Sequence, residues 1–243
     1  MKQKIFIGTS GWNYKHWKEN FYPKDTPQKD WLKFYAEKLD TVEINNSFYH
    51  LPKEKTFESW KEIVGKNFVY SVKASRYITH MKKLHECRDS VKTFLDRAKI
   101  LDNKLGPILF QLPPYLQFDY DKLNDFLNTL PKKYKYTIEF RHKSWWKDET
   151  YELLKKKNIA FCIYELGKKV SPEDVTADFA YIRFHGPSGK YKGNYHSQTF
   201  KKWVKKFKSW EAKEIYCYFD NDEKGYAAKN ALRLKEILKR NSS

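Results

Sequence analysis

The sequence predicts an eight-stranded α/β barrel of the TIM-like (β/α)8 kind, on three observations. The chain has 243 residues, close to the ~250 typical of that fold. Eight short β-rich runs are spread along it, and helical patterns separate consecutive runs. Strands alternating with helices imply parallel β-α-β units. One barrel spanning residues 1–243 accounts for the whole length; an open doubly wound sheet is the alternative.

The predicted strands are Lys4–Gly8, Thr41–Asn45, Phe68–Ala74, Ile108–Leu112, Tyr136–Arg141, Ile159–Tyr164, Ala180–His185 and Ile215–Asp220. Between them, apolar residues recur at helical spacing. Trp31, Leu32, Tyr35 and Leu39 follow Thr26-Pro27, read as N-cap and first turn. Phe57, Trp60 and Val64 are followed by Gly65, read as the helix stop. Leu123, Phe126, Leu127 and Leu130 follow Asp119 and Asp121, either of which suits an N-cap. Phe200, Trp203, Val204 and Phe207 form a fourth helical face, and Ala227, Ala231, Leu234 and Leu238 the last.

Side chains alternate faces along a strand, and five of the eight runs split cleanly. Glu43 and Asn45 lie opposite Val42 and Ile44; Val69, Ser71 and Lys73 lie opposite Phe68, Tyr70 and Val72. Thr137, Glu139 and Arg141 lie opposite Ile138 and Phe140; Tyr181, Arg183 and His185 lie opposite Ile182 and Phe184. Tyr216, Tyr218 and Asp220 lie opposite Ile215, Cys217 and Phe219. The wholly apolar faces suit packing against outer helices. The mixed faces point inward, with their charges at the C-terminal ends where barrels of this kind build active sites. The sixth run lacks this pattern.

Composition narrows the remaining classes. The chain is 40% apolar and 18% aromatic, enough to bury a sizeable core, which argues against disorder. Its longest apolar run, Ile159 to Tyr164, is far short of the ~18 residues of a membrane span. The N-terminal apolar stretch stops at Gly8, too early for a secretory signal, so a cytoplasmic protein is expected. Cys87, Cys162 and Cys217 are widely spaced and form no CxxC pair, which speaks against zinc knuckles and disulfides. The formal charge is +18, but only 7 of the 48 basic residues are arginine. Many lysines, including Lys155, Lys156 and Lys157 or Lys201, Lys202, Lys205 and Lys206, fall on predicted helices. A solvated basic surface explains them.

Several motifs cluster at the strand ends. Gly8-Thr9-Ser10-Gly11-Trp12-Asn13-Tyr14 and Phe21-Tyr22-Pro23 follow the first strand, and Glu43-Ile44-Asn45-Asn46-Ser47-Phe48-Tyr49 ends the second. Lys73-Ala74-Ser75 with Ile78-Thr79-His80 ends the third, and Gly106 to Pro114 spans the fourth. Glu139-Phe140-Arg141-His142 with Ser144-Trp145 ends the fifth. Tyr181-Ile182-Arg183-Phe184-His185-Gly186 and Tyr218-Phe219-Asp220-Asn221-Asp222 finish the seventh and eighth. This ordered set resembles the YecE-like family, a family named for its unknown function, from Ile7 to about Leu234. The resemblance implies a TIM-barrel-like fold in the soluble bacterial cytoplasm and carries no activity, cofactor or catalytic residue. One departure is Tyr164-Glu165 at the sixth strand end, where a small polar group is expected.

The inward residues suggest an enzyme using acid–base chemistry on an anionic small molecule that carries phosphate. Glu43 and Glu139 are the expected proton-transfer groups, with His185 and Asp220 next; carboxylates beside cations can have their pKa values driven apart. Lys73, Arg141 and Arg183 would orient substrate or stabilise negative charge. Three acids facing three bases suggest that Lys73 is ion-paired rather than a Schiff-base lysine. The Gly186–His196 segment, with Lys190 and Lys192, suits phosphate binding after the seventh strand. Trp12, Tyr14, Asn45, Tyr191 and Tyr195 complete the expected binding set. Hydrolysis or isomerisation of a phosphorylated sugar or nucleotide fits these residues. Glu43, Glu139, His185 and Asp220 could hold a divalent metal, but three cations in the same mouth compete with it, so no metal is assigned. No motif points to a cofactor.

The alternative is a nucleic-acid-binding protein or nuclease. Arg76, His80, Lys82, Lys83, His85, Lys190 and Lys192 would rim the mouth. Trp12, Tyr14, Tyr49, Trp145, Tyr191 and Tyr195 would offer stacking surfaces.

Overall fold

The computed structural model describes residues Gln3–Asn241. Its strands are β1 (Lys4–Ser10), β2 (Thr41–Ile44), β3 (Val69–Lys73), β4 (Leu105–Gln111), β5 (Tyr136–Glu139), β6 (Ala160–Leu166), β7 (Lys169–Val170), β8 (Phe179–Phe184) and β9 (Glu214–Phe219). The helices of eight residues or more are α1 (Trp31–Lys38), α3 (Glu54–Ile63), α4 (Arg88–Ala98), α5 (Tyr120–Asn128), α6 (Asp148–Lys156), α7 (Ser197–Ser209) and α8 (Tyr226–Arg240); α2 (Asn46–Tyr49) is a single turn. Neighbouring strands pair in parallel from β1 through β5. β6 pairs with β5 and β8, and β9 pairs with β8 and β1. Eight parallel strands therefore close into a ring, as expected. β7 is a short antiparallel arm on β6 outside the ring, so the seventh and eighth barrel strands are β8 and β9.

The predicted faces fall where the alternation puts them. Val42, Ile44, Tyr70, Val72, Ile138, Phe140, Ile182, Phe184, Ile215, Cys217 and Phe219 join the core shared with the helices. Leu109, Ala160, Cys162, Phe179, Tyr181, Tyr216 and Tyr218 form a separate cluster inside the barrel. Near the N-terminal ends, Phe6 stacks on Tyr216 at 4.9 Å. Above them, the Tyr181 hydroxyl meets Ser71 Oγ at 2.7 Å and the Tyr218 hydroxyl meets Thr41 Oγ1 at 2.8 Å. These bonds satisfy hydroxyls that would be costly to bury alone. The charged residues come next, toward the C-terminal ends.

Several local expectations change. β6 does contribute inward residues: Ala160 and Cys162 lie in the barrel interior while Phe161 and Ile163 face the helices. Ala160 and Cys162 are small and apolar, so up to Tyr164 both faces read alike in sequence. Helix α3 ends at Ile63, with Val64 extended after it, and Gly65 does not adopt the left-handed conformation of a helix stop. A short 3₁₀ turn, Gln28–Asp30, precedes α1; its cap position is Pro27 rather than Thr26, and that of α1 is Asp30, neither with a side-chain cap. Of the two candidate caps for α5, Asp119 performs the role, accepting from the Lys122 N–H at 3.0 Å. All three cysteines are buried and free. Among the described residues no helix is long and apolar enough to cross a membrane.

Close strand packing makes one glycine indispensable. Gly8 pairs with Thr41 across β1 and β2, and a Cβ there would lie 1.9 Å from the Thr41 carbonyl oxygen. That contact is backbone and cannot be relieved by a rotamer change. Gly65 has nothing within 4 Å of the equivalent position. Gly8→Ala is therefore expected to destabilise the fold by ~2 kcal/mol or more, as overpacking does, and Gly65→Ala to change it by no more than ~0.5 kcal/mol. Denaturant unfolding of the two variants checks this; equal midpoints would contradict the register of β1 on β2.

Candidate functional site

The inward charged residues converge on one guanidinium. Arg183, on β8 and 1% exposed, donates from Nη1 to Glu139 Oε2 at 2.8 Å and from Nη2 to Glu43 Oε1 at 2.6 Å. Its Nη2 also lies 3.3 Å from Asp220 Oδ2. Glu43 is one residue from the end of β2, Glu139 ends β5, and Asp220 follows β9, so a single side chain ties three strand ends across the barrel. Glu43 is completed by Ser10 Oγ at 2.8 Å and by the Tyr181 hydroxyl, which donates to Oε2 at 2.6 Å. Glu139 also accepts from Arg141 Nε, while the Cys162 thiol lies 3.7 Å from its Oε2. Burial alone would raise the Glu139 carboxyl, but Arg141, Arg183 and His185 outweigh it and hold it well below the usual carboxylate range.

His185 is wholly buried beside this clamp. Its Nδ1 lies 2.8 Å from Asp220 Oδ2, and its Nε2 lies 2.8 Å from Arg141 Nη2. A guanidinium only donates, so Nε2 must accept, and the Nδ1 proton is then directed at Asp220. The arrangement is an aspartate–histidine pair whose second nitrogen accepts from a cation. Burial opposes ionisation of Asp220, yet the His185 hydrogen bond and the Arg183 charge lower its pKa. Tyr164, at the strand end where a small polar group was expected, packs edge-on to His185 at 6.0 Å, and the Arg141 guanidinium stacks over its ring at 4.8 Å. Lys169 on β7 donates to the Arg141 carbonyl at 2.6 Å. The residue types of this strand end escape a search for small polar groups because Tyr164 acts here through its ring face.

Lys73 departs from expectation. It is not ion-paired: its Nζ donates to the neutral Gln111 Oε1 at 2.8 Å and lies 4.2 Å above the Phe48 ring. All three mouth carboxylates are committed to Arg183, Arg141 and His185. Burial, and then the charge of Arg183, lower the Lys73 ammonium to about 8. Counting three acids against three bases missed this, because a forked guanidinium can hold several carboxylates at once.

The other predicted residues divide. Trp12, Tyr14 and Asn45 line a cavity of about 490 Å³ between the loops after β1 and β2 and helices α1 and α3. Trp12 meets Trp60 edge-on at 5.2 Å there, and Asn45 Oδ1 is buried with no hydrogen-bond partner. Tyr14 donates to the Ser10 carbonyl at 2.5 Å; burial, then Asp220, Asp222 and Glu43, raise its phenol far above the usual value. Asp222, quoted in a motif but given no role, joins the loop after β1 to the end of β9. It accepts from Trp17 Nε1 at 2.6 Å and lies 2.8 Å from His16 Nε2. Burial raises its carboxyl to about 6.

Tyr195 and Trp145 are core residues, not stacking surfaces, at 3% and 0% exposure. Tyr195 packs on Phe184 and its hydroxyl accepts from the Gly186 N–H at 3.0 Å. The loop amides expected to cradle phosphate are partly taken. Tyr191 N–H donates to the His185 carbonyl at 2.6 Å, Ser188 N–H to Lys192, and Gly193 N–H to Glu223. Lys190 and Lys192 are exposed, and Tyr191 is half-exposed with its ring 5.9 Å from His185. Large apolar side chains left exposed gather on the loops after the barrel strands: Tyr49, Tyr77, Met81, Tyr115 and Tyr191 among them. Lys82 lies over Tyr77, Lys83 over Tyr115 and Lys190 over Tyr191, at 5.8, 5.4 and 5.2 Å. Tyr77 and Met81 sit on one turn of π-helix, Tyr77–Met81, a feature that hydrophobic periodicity does not announce.

Comparison with known proteins gives a consistent assignment. A family profile described as "Protein of unknown function DUF72" matches residues 6–243. YunF of Bacillus subtilis (strain 168) is 26% identical over 96% of this chain and 94% of its own length. YecE of Escherichia coli (strain K12) is 30% identical over 57% of this chain and 48% of its own. A crystal structure of a DUF72 family protein from Thermotoga maritima superposes with a TM-score of 0.88 at 28% identity, covering 98% of this chain and all of that one. A second, from Enterococcus faecalis, gives 0.84 at 21% identity over 97% of this chain and 95% of that one. With the profile running over nearly the whole barrel, the chain belongs to the DUF72 family.

Proposed function

We propose that the chain is an enzyme performing acid–base chemistry at the barrel mouth on an anionic, phosphate-bearing small substrate. The observation that carries this reading is the His185–Asp220 pair, 2.8 Å apart and set beside the Arg183 clamp at the C-terminal ends of the strands. A purely structural network explains it poorly. Buried ion pairs seldom stabilise more than well-packed apolar residues would, and a desolvated, unpaired Lys73 ammonium adds a further cost. Groups with displaced pKa values gathered at a strand-end mouth are a mark of chemistry.

The roles shift within the expected set. Glu43 and Glu139 are fully buried and engaged by Arg183, Ser10, Tyr181 and Arg141, so they serve to hold the guanidiniums. His185 and Asp220 take the proton-transfer role, with the Asp220 side chain 17% exposed toward the mouth. Arg141 and the exposed Lys190 and Lys192 supply positive charge for an anion. The cavity beside Trp12 and Asn45 can receive a non-reacting part of the substrate.

A second reading, single-stranded nucleic acid as the phosphate-bearing partner, is favoured by the exposed tyrosines lying under lysines around the mouth. Alternating cations and aromatic faces hold bases and backbone together.

Two outcomes are expected. In a turnover screen over phosphoesters, sugar phosphates and nucleotides, Asp220→Asn lowers kcat by about 10²- to 10⁴-fold while the variant stays folded; equal turnover by both proteins would remove the pair from the mechanism. In salt titrations of single-stranded DNA binding, losing Lys83 and Lys190 together flattens the slope of log affinity against log salt by about 1.4. Losing Lys156 and Lys205, exposed on outer helices, leaves it unchanged. Equal flattening by both pairs would reduce the second reading to diffuse attraction.

A further inference from the structure

We propose that Lys73 is a nucleophile that forms an imine with an aldehyde or ketone carried by the phosphate-bearing substrate. The inference rests on the barrel mouth being the active site and names the functional group on which that site acts. Lys73 is the last residue of β3, at the end of the barrel where Glu43, Glu139 and Arg183 gather. Its Nζ is held by one neutral acceptor and one ring face, Gln111 and Phe48. The carboxylates that would have kept it an ion-paired ammonium are bound elsewhere. Desolvation and a neighbouring cation are the two physical means by which a lysine amine is activated. Both are present, and they bring its pKa to about 8.

The step balances without a further reagent. The neutral amine adds to the carbonyl carbon, a C–N bond forms, and the C–O π pair moves onto oxygen. That oxygen takes one proton from the nitrogen and one from the medium and leaves as water, so an iminium cation remains. The iminium draws electrons from the adjacent carbon and acidifies its C–H bond. Accepting that proton is work suited to His185 Nε2, which gives up its hydrogen bond from Arg141 to do so while Asp220 holds Nδ1.

Two sources supply this chemistry. One is a free aldose or ketose phosphate. The other is an abasic sugar in a nucleic-acid strand, whose ring-opened form is an aldehyde flanked by phosphates; the tyrosine and lysine rim around the mouth suits such a strand.

The test is borohydride trapping on the full chain followed by peptide mapping. One arm uses ribose 5-phosphate and dihydroxyacetone phosphate, the other a single-stranded oligonucleotide containing an abasic site. At pH 7.5 the neutral fraction of an amine with a pKa of about 8 exceeds that of an ordinary lysine by roughly 200-fold. The adduct is therefore expected on Lys73 well ahead of the exposed lysines, and to be lost in Lys73→Met but not in Lys156→Met. The arm that labels identifies the source. Mapping the wild-type protein needs no variant, so a folding failure of Lys73→Met leaves the result readable. Label spread over surface lysines with Lys73 no more reactive than Lys156, in both arms, would overturn the inference. Trapping at Lys73 with turnover unaffected in Asp220→Asn would keep the imine and discard the acid–base pair.

Discussion

The structure turns on the Arg183 guanidinium, a permanent charge buried at the centre of a closed barrel. Arginine cannot shed its proton to escape burial, so its position is tenable only if carboxylates surround it. Glu43 from β2, Glu139 from β5 and Asp220 after β9 meet that need from three directions. Taking one partner from a buried pair costs about 3–5 kcal/mol, because the charge left behind is uncompensated. The clamp therefore demands that the strand ends be in register and that the ring be closed. Its Nε is buried without a partner, which leaves the guanidinium held by its two outer nitrogens alone.

The same commitment shapes the rest of the mouth. Once the carboxylates are bound to Arg183, Arg141 and His185, no anion is left for Lys73. The imidazole is fixed with one nitrogen on Asp220 and the other on Arg141. A lysine and a histidine are thus left with little freedom beside a fixed field of ions. Such preorganisation is how sites stabilise charge that develops during a reaction. Stability is drawn instead from the two apolar layers: aromatic stacking and tyrosine hydroxyl bonds inside the barrel, and the helix-facing core outside it.

Much of this was legible in the sequence, for a definite reason. Alternation with period two places Glu43, Lys73, Glu139, Arg141, Arg183, His185 and Asp220 inward wherever the opposite face is wholly apolar, and parallel topology brings all of them to one end. Where the two faces do not differ, the signal fails. β6 carries Cys162 and Tyr164 inward, yet its apolar inner face looks like its outer one. Aromatic residues after strands are equally mute, since Tyr195 is buried under Phe184 while Tyr191, four residues earlier, is half-exposed. Pairing is the least legible property. Composition balances Lys73 against an acid, whereas the reach of a forked arginine decides which acids are free. The π-helical turn that presents Tyr77 and Met81 has no periodicity that marks it in advance.

The most direct measurement is the titration of Lys73 itself, by NMR of protein carrying labelled lysine side chains, with Lys73→Arg to assign the signal. If Arg183 and its neighbours take every carboxylate of the mouth, one lysine signal has its midpoint near pH 8, against an ordinary value of 10.5. That signal disappears in the variant. A Lys73 midpoint at or above the ordinary lysine value would mean that the amine is paired with an acid, and the charge assignment of the mouth would be wrong.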